Sequence, residues 1–141
     1  MAIKQISVFV ENKPGRLAEI TELLAKNNVD IRALSIADTT DFGILRLIVN
    51  DPDLTVKILR EDGMTVSATE VLGVAIPDVP GGFAKAIRTI TDIGISLEYA
   101  YAFITPKSGS AYVIIRVENN ELATKALNDA GIKIIEQSDI F

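Results

Sequence analysis

The 141-residue sequence is 48% apolar and 23% charged, enough to bury a core and too apolar for a disordered chain. Its formal charge of -5, from 14 basic and 19 acidic residues with no long basic run, argues against nucleic-acid binding by phosphate neutralisation. With no Cys and no His, it lacks disulfides, thiolate chemistry, the commonest general base and the commonest metal ligand.

The opening Met1-Ala2-Ile3-Lys4-Gln5 lacks the apolar centre of a signal peptide, and charges interrupt every apolar run short of membrane-spanning length. A cytoplasmic protein with no membrane association is expected. Ile6, Val8 and Val10 alternate with Ser7 and Phe9 and predict a strand. The period changes at Gly15, where Leu17, Ile20 and Leu24 fall on one helical face. Glu22 and Lys26, four residues apart, are expected to pair on that helix, which Asn27-Asn28 can end.

Two strands follow, Ile31 to Ala37 and Ile44 to Val49, with Asp38–Gly43 as their hairpin loop. Asp51 suits a helix cap and Pro52 its first turn, and Leu54, Ile58 and Leu59 form the apolar stripe that Gly63 ends. A strand from Val66 to Ile76 completes β-α-β-β-α-β. The order then repeats. After Pro77-Asp78-Val79-Pro80-Gly81-Gly82 comes a helix on Phe83, Ala86, Ile87 and Ile90, ended by Gly94. Strands at Leu97–Ile104 and Ala111–Val117 flank the loop Thr105–Ser110, a helix starts at Asn119 and stops at Gly131, and Ile132–Ile135 is the last strand.

The halves also align residue by residue. Pro14-Gly15 matches Pro80-Gly81, Leu17 matches Phe83 and Ile31 matches Leu97, each 66 positions on. Beyond a loop longer by two, Val49 matches Val117 and Gly63 matches Gly131 at 68. The chain is a tandem duplication.

The duplicated strand-to-helix turn is the candidate site. A helix start presents unpaired N–H groups with a partial positive charge. Proline sets the chain direction, and the glycine after it lets the backbone bend and a ligand approach. Asn12 and Asp78, two residues before each proline, bring a polar side chain near those groups. A carboxylate on the N–H groups and an ammonium on the side chain together describe a free α-amino acid. The plain alternative is a turn and N-cap without a ligand. A helix terminus contributes about 0.3–2 kcal/mol to anion binding, whereas micromolar affinity needs about 8 kcal/mol. Side-chain contacts and enclosure must supply the remainder.

At these residues the sequence resembles a known family. "ISVFVENKPGRLAEITELLAKNNVDI" and "GILRLIVND" resemble parts of an ACT domain, and "VAIPDVPGGFAKAI" is similar to the Pro-Asp-x-Pro-Gly turn in ACT domains of aspartate kinases. The resemblance covers essentially the whole chain, once per repeat. It implies an α+β fold of two tandem ferredoxin-like βαββαβ domains, 1–70 and 71–141, with antiparallel sheets and helices on one face. Amino acids often bind such domains at paired interfaces, against the first strand-to-helix loop. Carried over, that marks Asn12, Pro14, Gly15, Arg16 and Leu17 in one copy, and Asp78, Val79, Pro80, Gly81, Gly82 and Phe83 in the other. Lys13 and Arg16 give the first turn two cations that the second lacks, so unequal sites are expected.

Tyr99, Tyr101 and Phe103 share one strand face where the first copy has Ala33, Ser35 and Ala37. They fit core packing, packed sheets, a dimer interface or an aromatic wall of the ligand site. Carboxylates such as Asp51, Asp53, Glu61 and Asp62 sit at helix ends, where capping explains them, and no metal or cofactor is expected. Thr39-Thr40-Asp41 and Lys107-Ser108-Gly109-Ser110 show no nucleophile–base arrangement, so neither an enzyme nor an attached catalytic domain is expected. The expectation is a regulatory protein, homodimeric, that binds an amino acid and signals through domain pairing or an enzyme partner. The alternative is a scaffolding subunit that binds no small ligand; small subunits of acetolactate synthase begin with a similar ACT domain.

Overall fold

The computed structural model describes residues 2–38, 41–103 and 109–141. The expected loop residues Thr39, Thr40 and Thr105–Ser108, and the strand end Ile104, lie outside them. The chain divides into two compact units, Lys4–Thr69 and Met1–Ile3 with Glu70–Phe141.

In the first unit the alternating run forms β1 (Ile3–Glu11), followed by α1 (Arg16–Lys26), β2 (Ile31–Asp38), β3 (Phe42–Val49) and α2 (Pro52–Glu61). The long strand β4 (Thr65–Pro77) then runs on into the second unit. β3 pairs antiparallel with β1 and β2, setting Val8 opposite Leu45 and Leu34 opposite Leu47, and β4 flanks β1 on its other side. Alternation aims Ile6, Val8, Leu45, Leu47 and Val66 at one face, where Ile20 and Leu24 of α1 and Ile58 and Leu59 of α2 bury against them. Both helices therefore cover the same face of the sheet. Fully burying a side chain of this kind contributes about 1.5–3 kcal/mol.

The second unit continues with α3 (Gly82–Asp92), β5 (Leu97–Phe103), β6 (Ser110–Val117), α4 (Asn120–Asp129) and β7 (Lys133–Ile135). Here β4 lies between β7 and β6, and β5 pairs the outer side of β6, all antiparallel. Its core repeats the first position by position: Leu72, Val74, Ile90, Ile115, Val117 and Leu127 stand where Ile6, Val8, Leu24, Leu47, Val49 and Leu59 stand. Even the strand irregularity recurs, at Ile31/Ala33 and again at Leu97/Tyr99. Asn28 leaves α1 at φ 59, where the second copy uses Gly94 at φ 78, as an Asn tolerant of the left-handed region allows.

One local expectation changes, and one element is added. Glu22 and Lys26 form no ion pair among the described residues. An exposed pair gains too little to hold two long side chains in place. At the equivalent place on α3, Arg88 and Asp92 do meet, at 3.7 Å. A short helix α5 (Gln137–Ile140) follows β7 and is closed by a reciprocal cap in which the Glu136 N–H donates to Asp139 Oδ2 at 2.8 Å. It is too short to show an apolar period.

Candidate functional site

Both candidate turns are built by the same backbone. Helix α1 begins after Gly15 at φ 82, and α3 after Gly81 at φ 89, the left-handed region that glycine enters without steric cost. The Asn12 N–H donates to the Asp41 carbonyl at 3.0 Å, and the Asp78 N–H to the Gly109 carbonyl at 3.0 Å. Each turn is thereby tied to the hairpin loop beside it. Inside the turns, the Arg16 N–H donates to Lys13 O at 3.3 Å and the Gly82 N–H to Val79 O at 3.1 Å.

The other two long helices start differently. Asp51 Oδ1 accepts from the Leu54 N–H at 3.2 Å, and Asn119 Oδ1 from the Leu122 N–H at 3.1 Å. Those are ordinary side-chain caps. At α1 and α3 the cap position is glycine and no side-chain cap bond forms. The plain N-cap reading of Asn12 and Asp78 therefore does not hold, because each lies three residues ahead of the cap position.

A cavity of about 270 Å³ opens beside the first turn, lined by Val10, Glu11, Asn12, Lys13, Arg16, Leu17, Ile36, Gly43 and Leu45. Beside α3 a cavity of about 310 Å³ is lined by Ile76, Phe83, Ala100, Tyr101, Ala102, Ala111 and Val113. Five lining positions are equivalent in the repeat: Val10 with Ile76, Leu17 with Phe83, Ile36 with Ala102, Gly43 with Ala111, and Leu45 with Val113. A larger cavity of about 690 Å³ runs along α4 between Glu70 and Asp129. It touches neither turn.

Of the residues marked in the first copy, Asn12, Arg16 and Leu17 line the cavity; Pro14 and Gly15 shape the turn behind it. Of those marked in the second, only Phe83 lines its cavity, while Asp78, Val79, Pro80, Gly81 and Gly82 form the turn ahead of α3. The wall residues Ile36, Gly43 and Leu45, and Ala100, Ala102, Ala111 and Val113, were not marked. They come from neighbouring strands, and the repeat register joined to the βαββαβ pairing order is the signal that finds them. Of the aromatic strip, Tyr101 lines the cavity and Phe103 meets Tyr112 edge-on at 5.6 Å.

The electrostatics of the two turns differ. Lys13 Nζ lies 2.8 Å from Glu11 Oε2, and Arg16 NH1 lies 3.2 Å from Glu19 Oε2, so each expected cation faces a carboxylate. The hydrogen bond from Lys13 and its charge, aided by Arg16, hold the Glu11 carboxyl below its ordinary pKa. Asp78 is exposed and forms no ion pair among the described residues. No group of three or more metal-ligating side chains occurs among the described residues, and none of their helices is long and apolar enough to cross a membrane.

The whole chain, residues 1–141, matches the family model of the ACT domain pair. Comparison with curated proteins gives no match. The crystal structure of protein BT0572 from Bacteroides thetaiotaomicron is similar at 41% identity and a TM-score of 0.93, over 99% of this chain and 96% of that one. The regulatory subunit of aspartate kinase from Thermus thermophilus, in its ligand-free form, shares the fold at 19% identity and a TM-score of 0.62, over 90% of this chain and 91% of that one. Its counterpart from Thermus flavus does so at 17% and 0.64, over 91% and 92%. With two βαββαβ copies, two equivalent turns and a family match across its full length, this chain belongs to the ACT domain pair family.

Proposed function

We propose that this ACT pair is a regulatory protein that binds a free α-amino acid at its strand-to-helix turns and signals through ACT-domain pairing or an enzyme partner. One observation carries the reading: a cavity recurs at equivalent places in both copies, each beside a helix start whose cap position is glycine. In the first copy, Pro14 and Gly15 set the turn, and the Arg16 side chain with the N–H groups of Leu17 and Ala18 receives the ligand carboxylate. Asn12 takes the ammonium on its side-chain oxygen, and Leu17 contacts the ligand side chain. The carboxylate replaces Glu11 and Glu19 as partner of the turn cations. In the second copy Asp78 takes the ammonium, Val79 to Gly82 form the turn, and Phe83 contacts the side chain. Catalysis has no part in this reading, and the working form is a cytoplasmic homodimer.

A thermal-shift screen against all twenty common amino acids tests it, repeated with Asn12→Ala and Asp78→Ala. A ligand at about 100 times its Kd adds roughly 2.7 kcal/mol, a shift of about 9 °C for a chain of this size. A shift lost in one variant supports the reading and identifies the working copy. A flat screen together with co-purification of a large enzyme subunit would favour a regulatory subunit that acts through its surface alone.

A further inference from the structure

We infer that the cavity of the second copy is a side-chain pocket for an uncharged apolar amino acid of leucine to phenylalanine size. The inference rests on the reading of the turns as amino-acid sites and adds the ligand class of one of them. The first cavity has Glu11, Lys13 and Arg16 in its walls. The second, at the equivalent place, is lined by no charged residue.

Pro77, Val79 and Gly82 stand where the first copy has those three charges, and further exchanges change the room in the wall. Where β2 carries Leu34 and Ile36, β5 carries Ala100 and Ala102, and where β3 carries Leu45, β6 carries Val113. Each exchange removes side-chain volume from the wall. Leu17 is replaced by Phe83, a residue 41% exposed in the first turn of α3. Such walls favour an apolar side chain and offer a charged one no partner for the water it would shed.

The charges around the cavity complement the rest of such a ligand. Asp78, exposed and outside any ion pair among the described residues, stands on the turn ahead of α3 and suits an ammonium. The start of α3, with glycine at its cap position, suits a carboxylate. A zwitterion with an uncharged side chain matches all three surroundings.

The test is calorimetric titration of the full chain with L-leucine, L-phenylalanine, L-lysine and L-aspartate, for wild type, Ala102→Ile and Ala100→Leu. Each variant installs the residue that the first copy carries at that place, and both positions lie on the outermost strand of their sheet, where a larger side chain has room. Leucine or phenylalanine should bind wild type, and each variant should weaken that binding about tenfold or more, the factor that burying such a side chain supplies. Unchanged affinity in both variants would place the ligand elsewhere and overturn this inference while leaving amino-acid binding intact. Binding of lysine or aspartate alone would overturn it in the same way. If none of the twenty amino acids shifts the melting temperature, the amino-acid reading itself falls and this inference with it. A changed sedimentation coefficient in Ala102→Ile, without any amino-acid response in wild type, would assign the cavity to a second copy of the chain.

Discussion

At the first turn Glu11, Lys13, Arg16 and Glu19 form two ion pairs, whereas the second turn carries Pro77, Val79, Gly82 and Lys85 at the same four positions. The backbone beneath is nearly unchanged, with Gly15 at φ 82 and Gly81 at φ 89, and with the same bond from each turn to its neighbouring hairpin. Duplication has thus kept the frame and exchanged the side chains around it. In the proposed reading, proline and glycine set where a ligand's charged end would meet a helix start. The four side chains exchanged at the turn are half-buried or exposed and belong to neither core, so they are free to diverge.

The largest expected effect sets Gly82 against Arg16. A Cβ at Gly82 would stand 2.3 Å from the Pro77 carbonyl oxygen, so the second turn is wound too tightly for any side chain there. Gly82→Ala should cost about 1–3 kcal/mol through the backbone shift it forces, while Arg16→Ala should leave stability within about 0.5 kcal/mol. Urea unfolding of the two variants checks the contrast, and equal losses would break it.

Gly15→Ala and Gly81→Ala should each cost about 1–2 kcal/mol, the penalty for a Cβ in the left-handed region. No other atom crowds either position, so the two losses should agree. A loss confined to one copy would show that the turns do not share a frame.

Caps give the next contrast. Asp51→Ala and Asn119→Ala should each cost about 1 kcal/mol, since both side chains close a helix start. Asp78→Ala should cost less than about 0.5 kcal/mol, because glycine holds the cap position at α3. Thermal melts without ligand measure all three.

The smallest effect is electrostatic. Glu11 has its pKa lowered in the fold, so its contribution is present above its ordinary value of 4.5 and is lost as pH falls through the lowered one. The stability gap between wild type and Glu11→Gln should close on acidification, and it has no counterpart at Pro77. A gap independent of pH would remove Lys13 as the cause.

Much of this was legible in the sequence. The repeat, the element order and the core positions all follow from periods of 2 and 3.6 punctuated by Gly and Pro. Leu59 and Leu127 could be matched before any coordinate was known. The walls of the cavities take a further step, because Ile36 and Ala102 reach the turns only through strand pairing, which the repeat must be folded into before it shows them. The ion pairs of Lys13 and Arg16 were also hidden, since strand and helix geometry sets which carboxylate each long side chain reaches. Helix α5 was overlooked because four residues carry no period, although the Glu136 and Asp139 spacing held its cap.

The measurement that tests the central claim most directly is a two-dimensional nitrogen–proton NMR titration of the full chain with a mixture of the twenty common amino acids. The expected result is that the largest shifts fall on the amides of Gly15 to Ala18, of Gly81 to Ala84, or of both. Shifts concentrated on the α4 face, or none at saturating concentration, would contradict ligand binding at the duplicated turns.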